Sequence, residues 1–169
     1  LLNSIDIGSS TITGDTRFDR VQQTVAQPKA FEEIAAFKED KKLLIVGSAW
    51  SSDMEVISEF INTSENLKVI IAPHEVDKKH IDLIIRHLKK PFELYTQESE
   101  YSTDILILNT IGMLSDIYQY GDFAYIGGAM GPGLHNILEA VAFGLPVVFC
   151  NKGLDKFPDS KVYSVRKGA

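Results

Sequence analysis

The strongest constraint on the fold is the repeated alternation of short apolar runs with helical patterns from residue 28 onward. Continuous apolar runs suit parallel strands that are covered on both faces of a sheet. Between the runs, apolar residues recur three and four positions apart, most clearly at Ile81, Ile84 and Leu88, which is the pattern of amphipathic helices. The runs comprise residues 43–46, 69–71, 105–108, 123–126 and 146–149, and a weaker run at 92–95 favours an edge strand.

Repeated strand-then-helix units indicate the class of fold. They favour right-handed crossovers and an α/β architecture, a Rossmann-like, doubly wound parallel sheet of about six strands. With 169 residues, the chain is long enough for one ordinary domain. We assign this domain to residues 28–169. Residues 1–27 precede the alternation, and we expect them to form an interdomain linker or entry segment.

Local signals predict where several helices begin. Pro28 suits the first position of a helix. Ser52 and Glu55 have the spacing of a capping box. Two later helices are expected over residues 111–120 and 136–143. The inner stripe of the first helix would comprise Phe31, Ile34, Ala35 and the stem of Lys38.

Composition narrows the classes of partner. The formal net charge of −6 argues against a nucleic-acid-binding surface, because phosphate contacts need clustered lysines and arginines. The single cysteine, Cys150, excludes an internal disulfide. No apolar stretch approaches the roughly 18–20 residues of a membrane span. We therefore expect a soluble polypeptide, and its start at Leu1 rather than Met indicates a portion of a longer protein.

The predicted fold directs attention to one edge of the sheet. Ligands of doubly wound sheets bind beyond the carboxyl ends of the strands. The loop GGAMGPG at 127–133 follows a predicted strand and precedes a helix, where free backbone N–H groups can bind a phosphate. Alternatively, Gly127 and Gly128 only let strand and helix pack closely. The loop matches neither G-x-x-x-x-G-K-[ST] nor G-x-G-x-x-G. The other loops at this edge are 47–50, 72–75 and 109–112.

Three polar residues follow this glycine loop. Asn136 and Glu139 would share one face at the start of the predicted helix, with His135 at its cap. A carboxylate one turn into the helix could accept the hydroxyls of a ribose whose phosphate lies against the loop. The alternative is ordinary capping by His135 or Asn136, with Glu139 favoured by the helix dipole. Capping accounts for one polar residue better than for three.

Several motifs in a fixed order resemble those of one glycosyltransferase family. They are GSAW at 47–50, APHE at 72–75, TIGML at 110–114 followed by Tyr118, Gly127-Gly128, and HNILEA at 135–140. The set resembles the 3-deoxy-D-manno-octulosonic acid (Kdo) transferases of Gram-negative lipid A biosynthesis. The resemblance implies the C-terminal, donor-binding domain of a two-domain GT-B enzyme, truncated at both ends.

The resemblance also implies a site for the donor, CMP-Kdo. The APHE loop would lie near the phosphate, although many family members have an arginine there and this chain does not, so His74 would substitute in part. Leu134 replaces a further glycine of many relatives. The implied donor-binding residues are Ser48, Ala72, Pro73, His74, Ile111, Gly112, Met113, Gly127, Gly128, Gly131, His135, Asn136, Ile137, Leu138 and Glu139.

The remaining functions would lie outside these residues. In the family, the general base, the groove for the lipid A precursor and the membrane-contacting surface belong to the N-terminal domain. We therefore expect no catalytic residue, metal or cofactor here, and no activity of the chain alone. The full-length enzyme would work at the cytoplasmic face of the bacterial inner membrane.

Two other functions stay open. The chain could be the donor domain of a GT-B enzyme that uses a UDP-sugar, or a non-catalytic Rossmann-like interaction module. Trp50 could stack on a base or pack beside the first strand. His74, Glu75 and His80 lack the H-E-x-x-H spacing of a zinc site. Asp15 and Asp19 are expected to cap a linker turn.

Overall fold

The computed structural model describes residues 16–97, 100–131, 133 and 135–150. None of the helices in these residues is long and apolar enough to cross a bilayer. The helices α1 to α6 are Thr16–Ala26, Glu32–Lys38, Ser51–Thr63, Lys78–Ile85, Leu114–Ile117 and Leu138–Ala142, and a 3-10 turn at Tyr118–Tyr120 extends α5. The strands β1 to β6 are Lys42–Ala49, Leu67–Pro73, Phe92–Leu94, Ile105–Ile107, Phe123–Ile126 and Val147–Val148.

The six strands form one sheet in the order β3-β4-β2-β1-β5-β6. Every pair of neighbouring strands is parallel. This confirms the predicted doubly wound α/β fold. The chain passes from β1 to β2 on one side and later adds β5 on the other, so the strand order reverses between β1 and β5. Ligands of such sheets bind at that switch point.

β1 lies at the centre of the sheet and is buried on both faces. Leu43 and Ile45 join one apolar layer, together with α2, α5 and α6. Leu44 and Val46 join the other layer, beneath α3 and α4. Successive side chains of a strand point to opposite faces, so a continuous apolar run is what a strand between two layers requires.

The weaker run at 92–95 forms the edge strand β3, as predicted. β3 pairs with β4 in parallel register, from Phe92 opposite Ile105 to Leu94 opposite Ile107. Its three residues are half-buried, whereas those of β4 are fully buried. A strand with one neighbour needs fewer apolar residues, which explains its weaker sequence pattern.

The first predicted helix begins later than expected. The N–H of Phe31 donates to the Tyr120 hydroxyl at 2.7 Å, and Phe31 is extended, with φ −130°. This contact holds the segment after Pro28 out of the helix. The predicted stripe is wrong at Ala35, which is exposed, while Phe37 is 2% exposed and fills the core instead.

The predicted capping box of Ser52 and Glu55 is also wrong. α3 begins two residues earlier than that box implies, at Ser51, and its third residue is therefore Asp53. The backbone N–H of Trp50 donates to Asp53 Oδ2 at 2.9 Å. Glu55 is exposed. The capping interaction lies two residues before its predicted position.

Helix α1 occupies part of the segment that we expected to be a linker. Its residue Val21 is 8% exposed, and α1 packs against α5 and α6. Residues 1–15 and 151–169 lie outside the described residues. The domain boundary at residue 28 therefore stays a prediction, although Thr16–Ala26 packs on the domain rather than apart from it.

We predict that Gly47→Ala destabilises the fold. A Cβ at residue 47 would overlap the hydroxyl of Tyr118, whose side chain is 1% exposed and has no room to move aside. Urea denaturation should show a loss of about 1–3 kcal/mol in the free energy of unfolding, the usual cost of overpacking. Tyr118→Phe removes the hydroxyl and should recover part of this loss in the double variant. An equal loss with and without the hydroxyl would contradict the explanation.

Candidate functional site

A cleft of about 170 Å³ lies at the carboxyl ends of β1, β2 and β4. It brings together three of the four loops that the sequence indicated. Polar and apolar groups both line it, which suits a small-molecule site. The residues from those loops that line it are Ser48, Ala72, Pro73, His74, Thr110, Ile111 and Gly112.

A larger groove of about 300 Å³ lies elsewhere, between α3 and the strands β5 and β6. Its walls are apolar and include Val56, Phe60 and Val148. It lacks the convergent polar groups of a nucleotide site. We therefore place the candidate site at the smaller cleft, which lies at the carboxyl ends of the strands, on the β2 side of the switch point between β1 and β5.

Ser48 has an unusual backbone conformation at the mouth of this cleft. Its φ is 51°, in the left-handed region that non-glycine residues rarely adopt. The pairing of β1 with β2 also shifts register between Val46 and Ala49. Such strained residues occur often at functional sites. The bulge places Ser48 at the cleft, and its role in donor binding stays a prediction.

Three aromatic rings form a stack beside the cleft. The His74 ring stacks on the rings of both Trp50 and His135, with centroid distances of 4.6 Å and 4.2 Å. The indole N–H of Trp50 donates to Nε2 of His135 at 3.0 Å. We call these three residues the ring stack. It joins the ends of β1 and β2 to the glycine loop, so His135 reaches the cleft through His74.

The hydrogen bond from Trp50 fixes the protonation of His135. Nε2 must carry a lone pair in order to accept the indole N–H. Burial lowers the pKa of His135, and the neighbouring His74 lowers it further, while Asp53 has the opposite effect. His135 is therefore neutral at pH 7, with its proton on Nδ1.

The glycine loop is held mainly by hydrogen bonds within the protein. The carbonyl of Gly128 accepts the N–H groups of Gly131 and Gly133, both at 3.0 Å. The N–H of Gly127 donates to the Gly47 carbonyl at 2.9 Å, and that of His135 to the Gly127 carbonyl at 3.2 Å. These amides are thus already paired, and the expectation that they are free to bind a phosphate is not supported at these positions.

Gly128 has a specific reason to be glycine. Its φ is 95°, a backbone conformation that is unfavourable for residues other than glycine. A Cβ here would also lie 2.5 Å from Cδ2 of His135 and would overlap the carbonyl of Gly133. The absence of a side chain at Gly128 lets the ring of His135 lie against the backbone. Close packing, the alternative to phosphate binding, therefore accounts for this glycine.

Asn136 acts as a cap, and Glu139 lies beside it. The Asn136 Oδ1 accepts the N–H of Leu138, at the start of α6, at 3.0 Å. Its amide nitrogen donates to Glu139 Oε1 at 3.3 Å. The predicted helix start at residue 136 is therefore wrong by two residues, because Asn136 lies before α6 and not within it.

Glu139 lies in an environment that disfavours its charge. Burial raises its pKa, whereas the bond from Asn136 and the charge of Arg20 lower it and Asp116 raises it. Arg20 belongs to α1, in the segment that the sequence left as a linker. The pKa of the Glu139 carboxyl therefore depends in part on α1, a helix that lies outside the predicted donor site.

Several implied donor residues are buried in the core. Ile137, Leu138 and Met113 are 2%, 4% and 9% exposed. Their side chains pack inside the protein, so only their backbone groups are available to a ligand. Ile111 is 79% exposed and lines the cleft.

The sequence analysis missed Asp53, whose side chain is 0% exposed. It accepts the N–H of Gly128 at 3.0 Å and the hydroxyl of Tyr125 at 3.2 Å, in addition to the N–H of Trp50. One signal could have found it. Asp53 lies four residues before Ile57, on the buried face of α3, where an unpaired carboxylate would be costly.

Glu75, Asp77 and His80 have side-chain ligand atoms within 4.8 Å of one another. The Nδ1 of His80 lies 3.0 Å from the Glu75 carboxylate and 2.5 Å from that of Asp77. Asp77 also caps α4. Ion pairing and capping account for this cluster, and the expectation that the chain binds no metal stays a prediction.

We predict that the emission of Trp50, the single tryptophan, changes below about pH 6.5. The folded chain binds a proton at His135 less readily than the unfolded chain, whose histidine has the ordinary pKa of 6.5. The contribution of His135 to the free energy of unfolding is therefore fully present above pH 6.5 and is lost as the pH drops. Protonated Nε2 also cannot accept the indole N–H. A fluorescence titration from pH 8 to 5 measures both effects.

The variant His135→Gln should abolish this transition. His74→Gln should move its midpoint to higher pH, because His74 lowers the pKa of His135. His80→Gln is the control, since the His80 ring meets only the edge of the Trp50 ring, at 6.3 Å. A transition that survives in His135→Gln would show that another group is responsible.

Comparisons with known proteins agree with the fold and the motifs, although no protein-family model matches this chain. Over 118 residues, the chain is 31% identical to the 3-deoxy-D-manno-octulosonic acid transferase of Chlamydia pneumoniae, covering 65% of this chain and 26% of that protein. The transferase of the same name from Aquifex aeolicus is 26% identical over 134 residues, covering 76% and 37%. The chain thus spans between a quarter and two fifths of these relatives.

A solved structure shares the fold. The C-terminal CMP-Kdo binding domain of WaaA from Acinetobacter baumannii superposes with a TM-score of 0.62 at 18% identity, covering 86% of this chain and 79% of that one. This likeness covers most of both chains and shows a common fold. The chain is thus similar in sequence to one part of the 3-deoxy-D-manno-octulosonic acid transferases, and it shares its α/β fold with the Acinetobacter baumannii domain.

Proposed function

We propose that this chain is the donor-binding domain of a Kdo transferase and that it binds CMP-Kdo at the cleft. One observation carries the proposal: the implied donor residues Ser48, His74 and Ile111 line a single cleft at the carboxyl ends of the central strands. The relatives named Kdo transferase support the identity of the ligand.

The cleft offers different chemistry to the two parts of a nucleotide. Ile111 presents an exposed apolar surface next to the backbone of Gly112, which suits the face of a cytosine ring. Ser48 and His74 supply polar groups to the same cleft. A pyrimidine next to Ile111 and a phosphate next to His74 would match these groups.

The negative charge of the donor must be neutralised without the arginine that many family members have in the loop at 72–75. The exposed ring of His74 lies at the cleft and is held in place by the ring stack. A donor phosphate next to His74 would accept a hydrogen bond from its ring. Because several amides of the glycine loop are already paired, His74 has the larger part in this proposal.

Glu139 is proposed to accept the ribose hydroxyls. Its half-buried carboxylate carries an elevated pKa, because burial disfavours its charged form. Two hydroxyl donors would replace the lost hydration and stabilise that form. The ligand would thereby satisfy a group that the free protein leaves in an unfavourable environment.

The whole enzyme would transfer Kdo with inversion from CMP-Kdo to a lipid A precursor. As the bond to the sugar breaks, preorganised polar groups at the donor site would stabilise the charge on the leaving CMP. The general base, the acceptor groove and the membrane contact would belong to the remainder of a GT-B enzyme at the cytoplasmic face of the inner membrane. This chain alone is expected to bind donor without catalysing transfer.

Titration of the 169-residue chain with CMP and UDP tests the proposal. We expect CMP to bind about ten-fold tighter or more, equivalent to about 1.4 kcal/mol. Amide chemical shifts should change at residues 48, 72–74 and 110–113. A preference for UDP would replace the Kdo donor with a UDP-sugar, and no binding of either nucleotide would favour the non-catalytic interaction module.

We predict that Glu139→Gln raises stability and weakens CMP binding. The folded chain holds the proton of Glu139 more tightly than the unfolded chain, whose pKa is near 4.5, so the ionised carboxylate costs stability above that pH. Glutamine removes the charge and keeps an acceptor for Asn136. Calorimetry at pH 7 should show a higher Tm, by about 2–4 °C for each kcal/mol gained.

The affinity for CMP should fall about ten-fold in the same variant, because hydrogen bonds to a charged group are worth about 1.5–3 kcal/mol. Glu59→Gln is the matched control, since Glu59 is exposed on α3. It should change neither quantity. A Glu139→Gln variant with lower Tm and unchanged affinity would contradict the ribose-binding role.

A further inference from the structure

The buried carboxylate of Asp53 contacts the turn at Trp50 and the glycine loop, the two segments that carry the rings of Trp50 and His135. Its Oδ2 accepts two backbone N–H groups, from Trp50 at 2.9 Å and from Gly128 at 3.0 Å. Its Oδ1 accepts the hydroxyl of Tyr125 at 3.2 Å. The three donors belong to the turn before α3, the glycine loop and the strand β5.

Helix capping alone does not account for these contacts. A cap needs only the N–H of Trp50, three residues away. The other two donors lie 72 and 75 residues further along the chain. A fully buried carboxylate costs several kcal/mol unless its hydrogen bonds are satisfied. Asp53 therefore joins three separate segments of the chain. Burial of its carboxylate has an energetic cost that a simple helix cap would avoid.

The contacts of Asp53 close a ring of interactions around the ring stack. Oδ2 holds the backbone of Trp50, whose indole N–H donates to His135. The same oxygen holds Gly128, against which the ring of His135 lies. Both sides of the bond between Trp50 and His135 are thus anchored to one atom.

The neighbouring Gly127 makes this approach possible. A Cβ at residue 127 would lie 2.6 Å from Oδ2 of Asp53. Any side chain there would push the carboxylate away from the amides of Trp50 and Gly128. The paired glycines at the end of β5 therefore admit a carboxylate from the protein itself.

We propose that Asp53 is the positioning residue of this site, and that its carboxylate holds the Trp50 turn and the glycine loop so that the rings of His74 and His135 face the ligand. The ligand itself rests on the proposed function. The positioning is a property of the ligand-free chain and can be measured without any nucleotide.

The variant Asp53→Asn tests this role. Asparagine keeps the size but has a single oxygen, which cannot accept all three donors. We expect CMP to bind at least about ten-fold more weakly, which corresponds to 1.4 kcal/mol. In the ligand-free chain, the indole N–H resonance and the emission of Trp50 should shift. Circular dichroism and cooperative thermal unfolding establish that the variant is folded.

Asp122→Asn is the matched control. Asp122 accepts the N–H of Leu43 at 2.9 Å and pairs with Lys38 and Lys42, at the amino end of β5 and away from the site. These contacts hold its pKa at about 2, although burial acts to raise it. The control should lose stability, yet keep the Trp50 resonance and an affinity for CMP within about two-fold of the unmodified chain.

Two further variants separate positioning from folding. Asp53→Glu retains both carboxylate oxygens and should restore part of the Trp50 signature that Asp53→Asn loses. If Asp53→Asn does not fold, Tyr125→Phe removes one donor and leaves the carboxylate in place. It should shift the Trp50 resonance in a folded chain, and an unchanged resonance there would overturn the proposal.

The outcomes distinguish this proposal from the proposed function. If the unmodified chain binds no CMP while Asp53→Asn shifts the Trp50 signals, the proposed function fails and the positioning role stands. If the unmodified chain binds CMP and Asp53→Asn binds it equally well with unchanged Trp50 signals, the positioning role is overturned. A loss of affinity no larger than that of Asp122→Asn overturns it as well.

Discussion

The position of β1 between β2 and β5 determines where the site can form. β1 is hydrogen bonded along both edges and covered by an apolar layer on each face. All strands of a parallel sheet end at the same edge, so the chain leaves β1, β2, β4 and β5 side by side. The Trp50 turn, the His74 loop and the glycine loop therefore meet without long connections. The two apolar layers supply the stability that this edge lacks.

Several energetically unfavourable features lie at that edge. Ser48 has a left-handed backbone, the half-buried Glu139 carries an elevated pKa, and Asp53 is a fully buried carboxylate. Neighbouring groups compensate each of these features in part. A bulge in β1 accommodates Ser48, and the amide of Asn136 donates to Glu139. Two backbone N–H groups and one hydroxyl donate to Asp53. A rigid sheet with apolar layers can hold such groups in place for a ligand.

Features of the fold that determine a pattern in adjacent residues of the sequence could be predicted. Burial on both faces requires an unbroken apolar run, so the strands and their parallel class followed from the pattern. The predicted strand ends located the loops of the cleft. Side-chain direction did not follow: Ile137 and Leu138 belong to the HNILEA motif, yet both are buried in the core. The start of α2 was missed because the Tyr120 hydroxyl, far along the chain, holds Phe31 extended.

The sequence by itself determined the doubly wound sheet, the edge at which a ligand would bind, and the family that its motifs resemble. These depend on composition and spacing within short segments. Only the tertiary structure decided that Asp53 joins Trp50 to Gly128, that three rings stack beside the cleft, and that α1 places Arg20 near Glu139. The groups in these contacts come from distant parts of the chain, and they meet only when the layers on both faces of β1 have packed.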